Sequence, residues 1–82
     1  MEVNIDSKGN KYIEVENIRI TFVKQATRSS AKNWPGEDVL RIQAKKDNIS
    51  NALHRGAELP MYKKEKSVYN FIENLTKLMN DI

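Results

Sequence analysis

The stretches "IRITFVK" (residues 18–24) and "DVLRIQAK" (residues 38–45) decide how this chain folds. In the first, Ile18, Ile20 and Phe22 alternate with Arg19, Thr21 and Val23. In the second, Leu40, Ile42 and Ala44 alternate with Val39, Arg41, Gln43 and Lys45. Side chains on a strand point to opposite faces in turn, so both runs read as strands with one wholly apolar face. Working outward, "EVNID" (2–6) and "KYIEV" (11–15) repeat the alternation. Between them "DSKGNK" supplies a hairpin turn, with Gly9 available for a positive φ, and Glu16-Asn17 is a second tight turn. Residues 49–61 are ambiguous; a short strand around Gly56–Leu59 is expected, with Gly56 as a bulge and Pro60 ending it.

After Pro60 the period changes. Val68, Phe71, Ile72, Leu75, Leu78, Met79 and Ile82 form one apolar stripe at helical spacing. Nothing breaks the run between Tyr62 and the end, so a helix over about 63–81 is expected. The predicted architecture is α+β: one domain over 1–82, with an antiparallel meander of four or five strands within 2–61 packed on the C-terminal amphipathic helix. On this reading the helix covers the Ile18/Ile20/Phe22 face. The opposite face, with Arg19, Thr21, Val23, Val39, Arg41, Gln43 and Lys45, is then left open. The register is the sensitive step, because a slip of one residue exchanges the two faces.

Composition narrows the function. The chain is 39% hydrophobic and 30% charged, a globular balance too apolar for a disordered chain. With no cysteine it has no disulfide staple, zinc thiolate or thiol nucleophile. No apolar run reaches membrane length and no signal-type apolar core follows Met1, so a cytoplasmic location is expected. The single histidine, His54, stands beside Arg55 without a partner motif, and Glu37-Asp38 reads as a turn pair. No phosphate-binding or metalloprotease pattern is present. No catalytic residue, metal site or cofactor is therefore expected.

Charge is unevenly spread. Residues 19–64 hold ten Lys/Arg against four acids, a net +6, between mildly acidic ends. Such a basic middle attracts polyanions. Single-strand binders combine a basic groove with aromatic platforms for bases. The candidates are Arg19, Arg41 and Lys45 on the open face, and Lys24, Arg28, Lys32 and Trp34 in the long connection. Trp34 has two readings, a stacking platform or a plug for the edge of a small core. The expected function is a non-enzymatic nucleic-acid-binding module for single-stranded DNA or RNA, as a homodimer. The alternative is a protein-interaction module, such as an inhibitor or accessory protein of a phage or conjugative element, with Val23 and Val39 in its contact surface.

Strands with a basic, Trp-bearing connection, then "RGAELP" and the helix "SVYNFIENLTKLM", resemble the layout of positive-cofactor-4-type transcriptional coactivators and their small bacterial relatives. The resemblance spans residues 11–82 in order of elements and carries over no individual position. It implies a curved antiparallel sheet, a C-terminal helix, dimerisation partly through that helix, and single-stranded DNA bound on the sheet. The Lys/Asn/Ile-rich style also resembles small reading frames of mobile elements in low-GC Gram-positive bacteria.

Overall fold

The computed structural model describes residues 2–28, 33–47, 52–61 and 65–82, with 65–68 described as backbone only. Five strands, β1 (Asn4–Ile5), β2 (Lys11–Val15), β3 (Ile18–Val23), β4 (Val39–Ala44) and β5 (Ala57–Pro60), form one antiparallel sheet in chain order. The helix α1 (Glu65–Asn80) follows. This is the α+β meander that the alternating patterns predict.

Local chemistry explains the turns. The Asp6 carboxylate accepts the N–H groups of Lys8 (2.9 Å) and Asn10 (2.8 Å), while Gly9 takes φ +84°. An aspartate closing its own turn in this way is a standard Asx arrangement. Glu16 and Asn17 make the two-residue link between β2 and β3, with Glu16 in the left-handed region at φ +55°. Trp34-Pro35-Gly36-Glu37 is a type II turn: the Glu37 N–H bonds the Trp34 carbonyl (3.3 Å), proline precedes a glycine at φ +78°, and each is where that turn needs it.

The register places Ile13, Ile20, Ile42 and Ala57 in one row, and Phe22, Leu40 and Leu59 in the next. These residues, with Ile5, Val15, Ile18 and Ala44, make one apolar face whose single charge is Lys11. The opposite, polar face carries Tyr12, Glu14, Arg19, Thr21, Arg41, Gln43 and Glu58, with Val23 opposite Val39 at one end.

What covers these faces differs from the sequence expectation. The helix does not bury its stripe on the apolar face: Ile72 is 52% exposed and Leu75 44%, while Ile18 and Phe22 stay exposed on the sheet. The polar face is not fully open. Val23 (2% exposed) and Val39 (0%) are buried there beneath the connection, together with Thr21, Asn10 and Arg28, so these valines are not available to a partner surface. A period-two pattern says which residues share a face. It does not say which long connection folds back over it.

Buried polar groups hold that connection down. Asn10 donates through Nδ2 to Thr27 Oγ1 (3.0 Å) and accepts the Lys24 N–H at Oδ1 (3.0 Å). Asp38 accepts the Gln25 N–H at 2.8 Å, and its carbonyl takes the Met61 N–H at 2.9 Å. The two ends of the connection and the end of β5 are thereby tied together.

Candidate nucleic-acid interface

Arg28 organises the connection. Its Nη1 donates to the carbonyls of Trp34 (3.0 Å) and Glu37 (2.7 Å), and its Nη2 donates to the Asn33 carbonyl. Glu58 on β5 lies 3.7 Å away. One buried guanidinium thus satisfies three backbone acceptors of the turn that carries Trp34. A planar fork of donors suits this; a lysine ammonium does not. Arg28 is therefore not an open contact residue, as the sequence reading had it. Both of its terminal nitrogens are engaged by the fold, and it bears on the cleft by placing Trp34.

Trp34 is 41% exposed and takes φ +52°. A bulky residue in the left-handed region is costly, and such conformations persist where the surroundings over-determine them, often at binding sites. Here the Arg28 guanidinium, bonded to the carbonyls of Asn33 and Trp34 that flank this φ, holds it. The Trp34 side chain is neither a core plug nor fully exposed. It lines a cleft of about 610 Å³ on the polar face, with Asn33 beside it and Arg41 and Gln43 from β4. Arg55, Gly56 and Glu58 complete the lining. Such a volume lies in the usual range for small-ligand sites.

Arg55 reaches this cleft through a β-bulge. β4 and β5 pair with Ile42 opposite Ala57, yet Lys45 is opposite Leu53, so the β5 side holds one extra residue between the two pairs. The His54 N–H bonds the Ala44 carbonyl (2.8 Å) and its carbonyl accepts from Gln43 Nε2 (3.3 Å). Carried on unbroken, the β4–β5 frame would set Arg55 opposite Ala44, on the apolar face. A bulge re-aims side chains in this manner. Gly56 makes it fit, because a Cβ there would stand 1.8 Å from the Ile42 carbonyl oxygen.

Charge on the polar face is arranged as shared pairs. Glu14 is bonded by Arg19 (3.0 Å) and approached by Lys45 (3.4 Å). Glu58 is bonded by Arg41 (2.7 Å) and approached by Arg28. Each group has two cations on one carboxylate and so keeps a net positive charge. The Arg19 side-chain hydrogen bond holds the Glu14 carboxyl below its ordinary value, with Lys45 adding to the effect. Arg19 also stacks over the Tyr12 ring at 4.3 Å, which presents a flat cationic surface.

Of the sequence candidates, the fold gathers Trp34 and Arg41 at the cleft and Arg19 with Lys45 in the neighbouring cluster. Lys24 is exposed at the start of the connection, and Lys32 lies outside the described residues. Arg55 and Asn33 were not anticipated, and Gln43 was expected on this face but not singled out as a contact residue. The Gly56 bulge was the one sequence signal that pointed to the Arg55 placement. Among the described residues no cluster of three His, Asp or Glu side chains could hold a metal, and no helix is long and apolar enough to cross a membrane. No family model, curated protein or solved structure matches the chain.

Proposed function

We propose that the chain is a non-enzymatic, cytoplasmic module that holds single-stranded DNA or RNA on the open part of its polar face. One base stacks against Trp34 in the cleft. Arg41 and Arg55 meet the flanking phosphates, and the Tyr12–Arg19 stack with Lys45 carries the strand onward. The observation that supports this most is the convergence of an aromatic in an enforced left-handed conformation with two arginines at one cleft. Base–aromatic stacking contributes about 1–3 kcal/mol per base, and it tolerates any base because every base has a π-face. Charge supports the reading as well, since both glutamate-centred clusters retain a positive excess.

Anisotropy of a labelled oligonucleotide, titrated at several salt concentrations, tests it. Binding should weaken linearly on a log–log plot against salt. Replacing Arg41 and Arg55 by alanine should lower the slope by roughly 1.4, at about 0.7 per single-strand phosphate contact. No binding at low salt, or binding indifferent to salt, sinks the proposal. A second reading, a protein-interaction module of a phage or conjugative element, is favoured by the apolar area left exposed on the sheet and helix. Capture of a defined protein, with oligonucleotide binding no tighter than that of any protein of similar charge, would select it.

A further inference from the structure

Stacking on Trp34 is indifferent to the identity of a base. The polar rim of the cleft is not. Unstacked bases are told apart by hydrogen bonds to their edges. Glu58 on β5 and Gln43 on β4 supply much of that rim. Arg41 places both Nε and Nη2 on one Glu58 oxygen, Oε2, at 2.7 Å each. The other oxygen, Oε1, has the Arg28 Nη2 at 3.7 Å, too far for a hydrogen bond. Paired with two guanidinium groups, Glu58 is a carboxylate, which accepts hydrogen bonds and donates none. Its side chain is 24% exposed, so a ligand can reach it.

Gln43 adds a second acceptor. Its Nε2 donates to the His54 carbonyl at 3.3 Å, and this assigns the amide, because the reverse orientation would set two oxygens against each other. Oε1 is thereby turned away from His54, and it has no partner among the described residues. Arg41 stands opposite Glu58, so Gln43, two residues further on the same face of β4, is the diagonal neighbour of Glu58. A ring lying on Trp34 therefore meets a wall with two acceptor oxygens. Guanine alone carries two N–H groups side by side, on N1 and N2. Adenine and cytosine each set one amino group beside a ring nitrogen that accepts, and thymine or uracil sets one N–H between two carbonyl oxygens. Each of these brings an acceptor against the acceptors of the wall.

We propose that the Trp34 cleft selects guanine, with Glu58 as the residue that sets the preference and Gln43 as its second acceptor. The ring stacks on Trp34, and its N1–H and N2–H groups donate to Glu58 Oε1 and Gln43 Oε1. Arg41 holds the carboxylate in place for this contact. Guanine selection rests on the reading that a base enters this cleft. The recognised chemistry is the guanine ring, whether it arrives in a single strand or as a free nucleotide; a cleft of about 610 Å³ has room for one nucleotide of either kind.

Anisotropy of labelled oligothymidylates that differ only in one central base, guanine, adenine, inosine or thymine, reads the preference at a fixed salt concentration. The guanine strand should bind at least about tenfold tighter than the adenine or thymine strand, the scale of one good two-bond base contact. Inosine, which lacks the N2 amino group, should fall between them. Quenching of Trp34 fluorescence by guanosine monophosphate and by adenosine monophosphate reads the free nucleotides. Glu58→Gln sets an amide donor where an acceptor stood, and it should bring the ratio of guanine to thymine affinity to within about twofold. The ratio is the readout, because a merely structural effect moves both affinities alike. Gln43→Met, which breaks no ion pair, should lower the same ratio in part, and it carries the test if circular dichroism shows Glu58→Gln unfolded. Salt-dependent binding of every strand with equal affinity overturns guanine selection and leaves single-strand binding standing. Quenching by the guanine nucleotide alone, with no strand bound, supports guanine selection and overturns single-strand binding. No strand bound and no difference between the nucleotides overturns both. A guanine preference that neither variant lowers overturns the assignment to Glu58 and Gln43.

Discussion

Replacing Arg28 by methionine tests the account of the connection most directly. The change keeps the bulk of the side chain and deletes donors to the carbonyls of Asn33, Trp34 and Glu37, together with the ion pair to Glu58. A hydrogen bond from a charged donor contributes about 1.5–3 kcal/mol net. Asn33 and Trp34 lie on the surface, so water can replace part of what their carbonyls lose. The sum of the individual bonds is therefore an upper bound, and a loss of about 2–4 kcal/mol is expected. Domains of this size are held by only about 5–15 kcal/mol, so the change is large. Urea denaturation followed by the fluorescence of the only tryptophan gives the midpoint, and circular dichroism reports the sheet in parallel. The variant should lose its Trp34 transition at a lower urea concentration than its sheet transition. Arg28→Lys should not rescue it, because a single ammonium nitrogen cannot stand at both of the positions from which the two guanidinium nitrogens reach these carbonyls and Glu58. A loss under about 0.5 kcal/mol, within the range of ordinary surface substitutions, would refute the reasoning. Full rescue by lysine would refute it too.

Three further outcomes follow from particular residues. Gly56→Ala should cost at least about 2 kcal/mol by thermal melting, because the added Cβ meets the Ile42 carbonyl and β5 must shift. Glu16→Gly should raise stability by about 0.5–1 kcal/mol by relieving a left-handed glutamate, and Glu16→Val should lower it. Glu14 has a lowered carboxyl pKa, held down first by the Arg19 hydrogen bond, so its contribution is complete above the unfolded value near 4.5 and is lost as pH falls through the lower folded value. Acid titration of the wild type should therefore show a loss of stability below pH 4.5 that is reduced in Glu14→Gln.

Much of the fold was legible because its signals are local. Alternation over residues 18–23 and 39–44 marked two central strands and their shared faces, and the 68–82 spacing marked the helix. The layer above each face was not legible. Burial of Val23 and Val39 depends on Arg28, Asn10 and Asp38 drawing the connection across the sheet through contacts between residues far apart in sequence. The site was read in part. Trp34 and Arg41 stood out by type, as an aromatic in a basic loop and an arginine on a strand. Arg28 has the same type signal and a different task, because charge alone does not distinguish a guanidinium facing water from one facing carbonyls. Arg55 was missed because a single inserted residue decides its face, and His54-Arg55-Gly56 shows that insertion only once the pairing on either side is known.

The extra residue before Ala57 also makes chain length a determinant of chemistry. Deleting His54 would bring both pairings into a single frame, with position 55 opposite Ala44, and remove the need for a bulge. The sheet would keep its strands and its hydrogen-bonded order. Position 55 would swing to the greasy side, taking its guanidinium with it, and the cleft would retain one arginine in place of two. A one-codon deletion, silent to most measures of folding, would then separate the architecture of this molecule from the charge of its cleft.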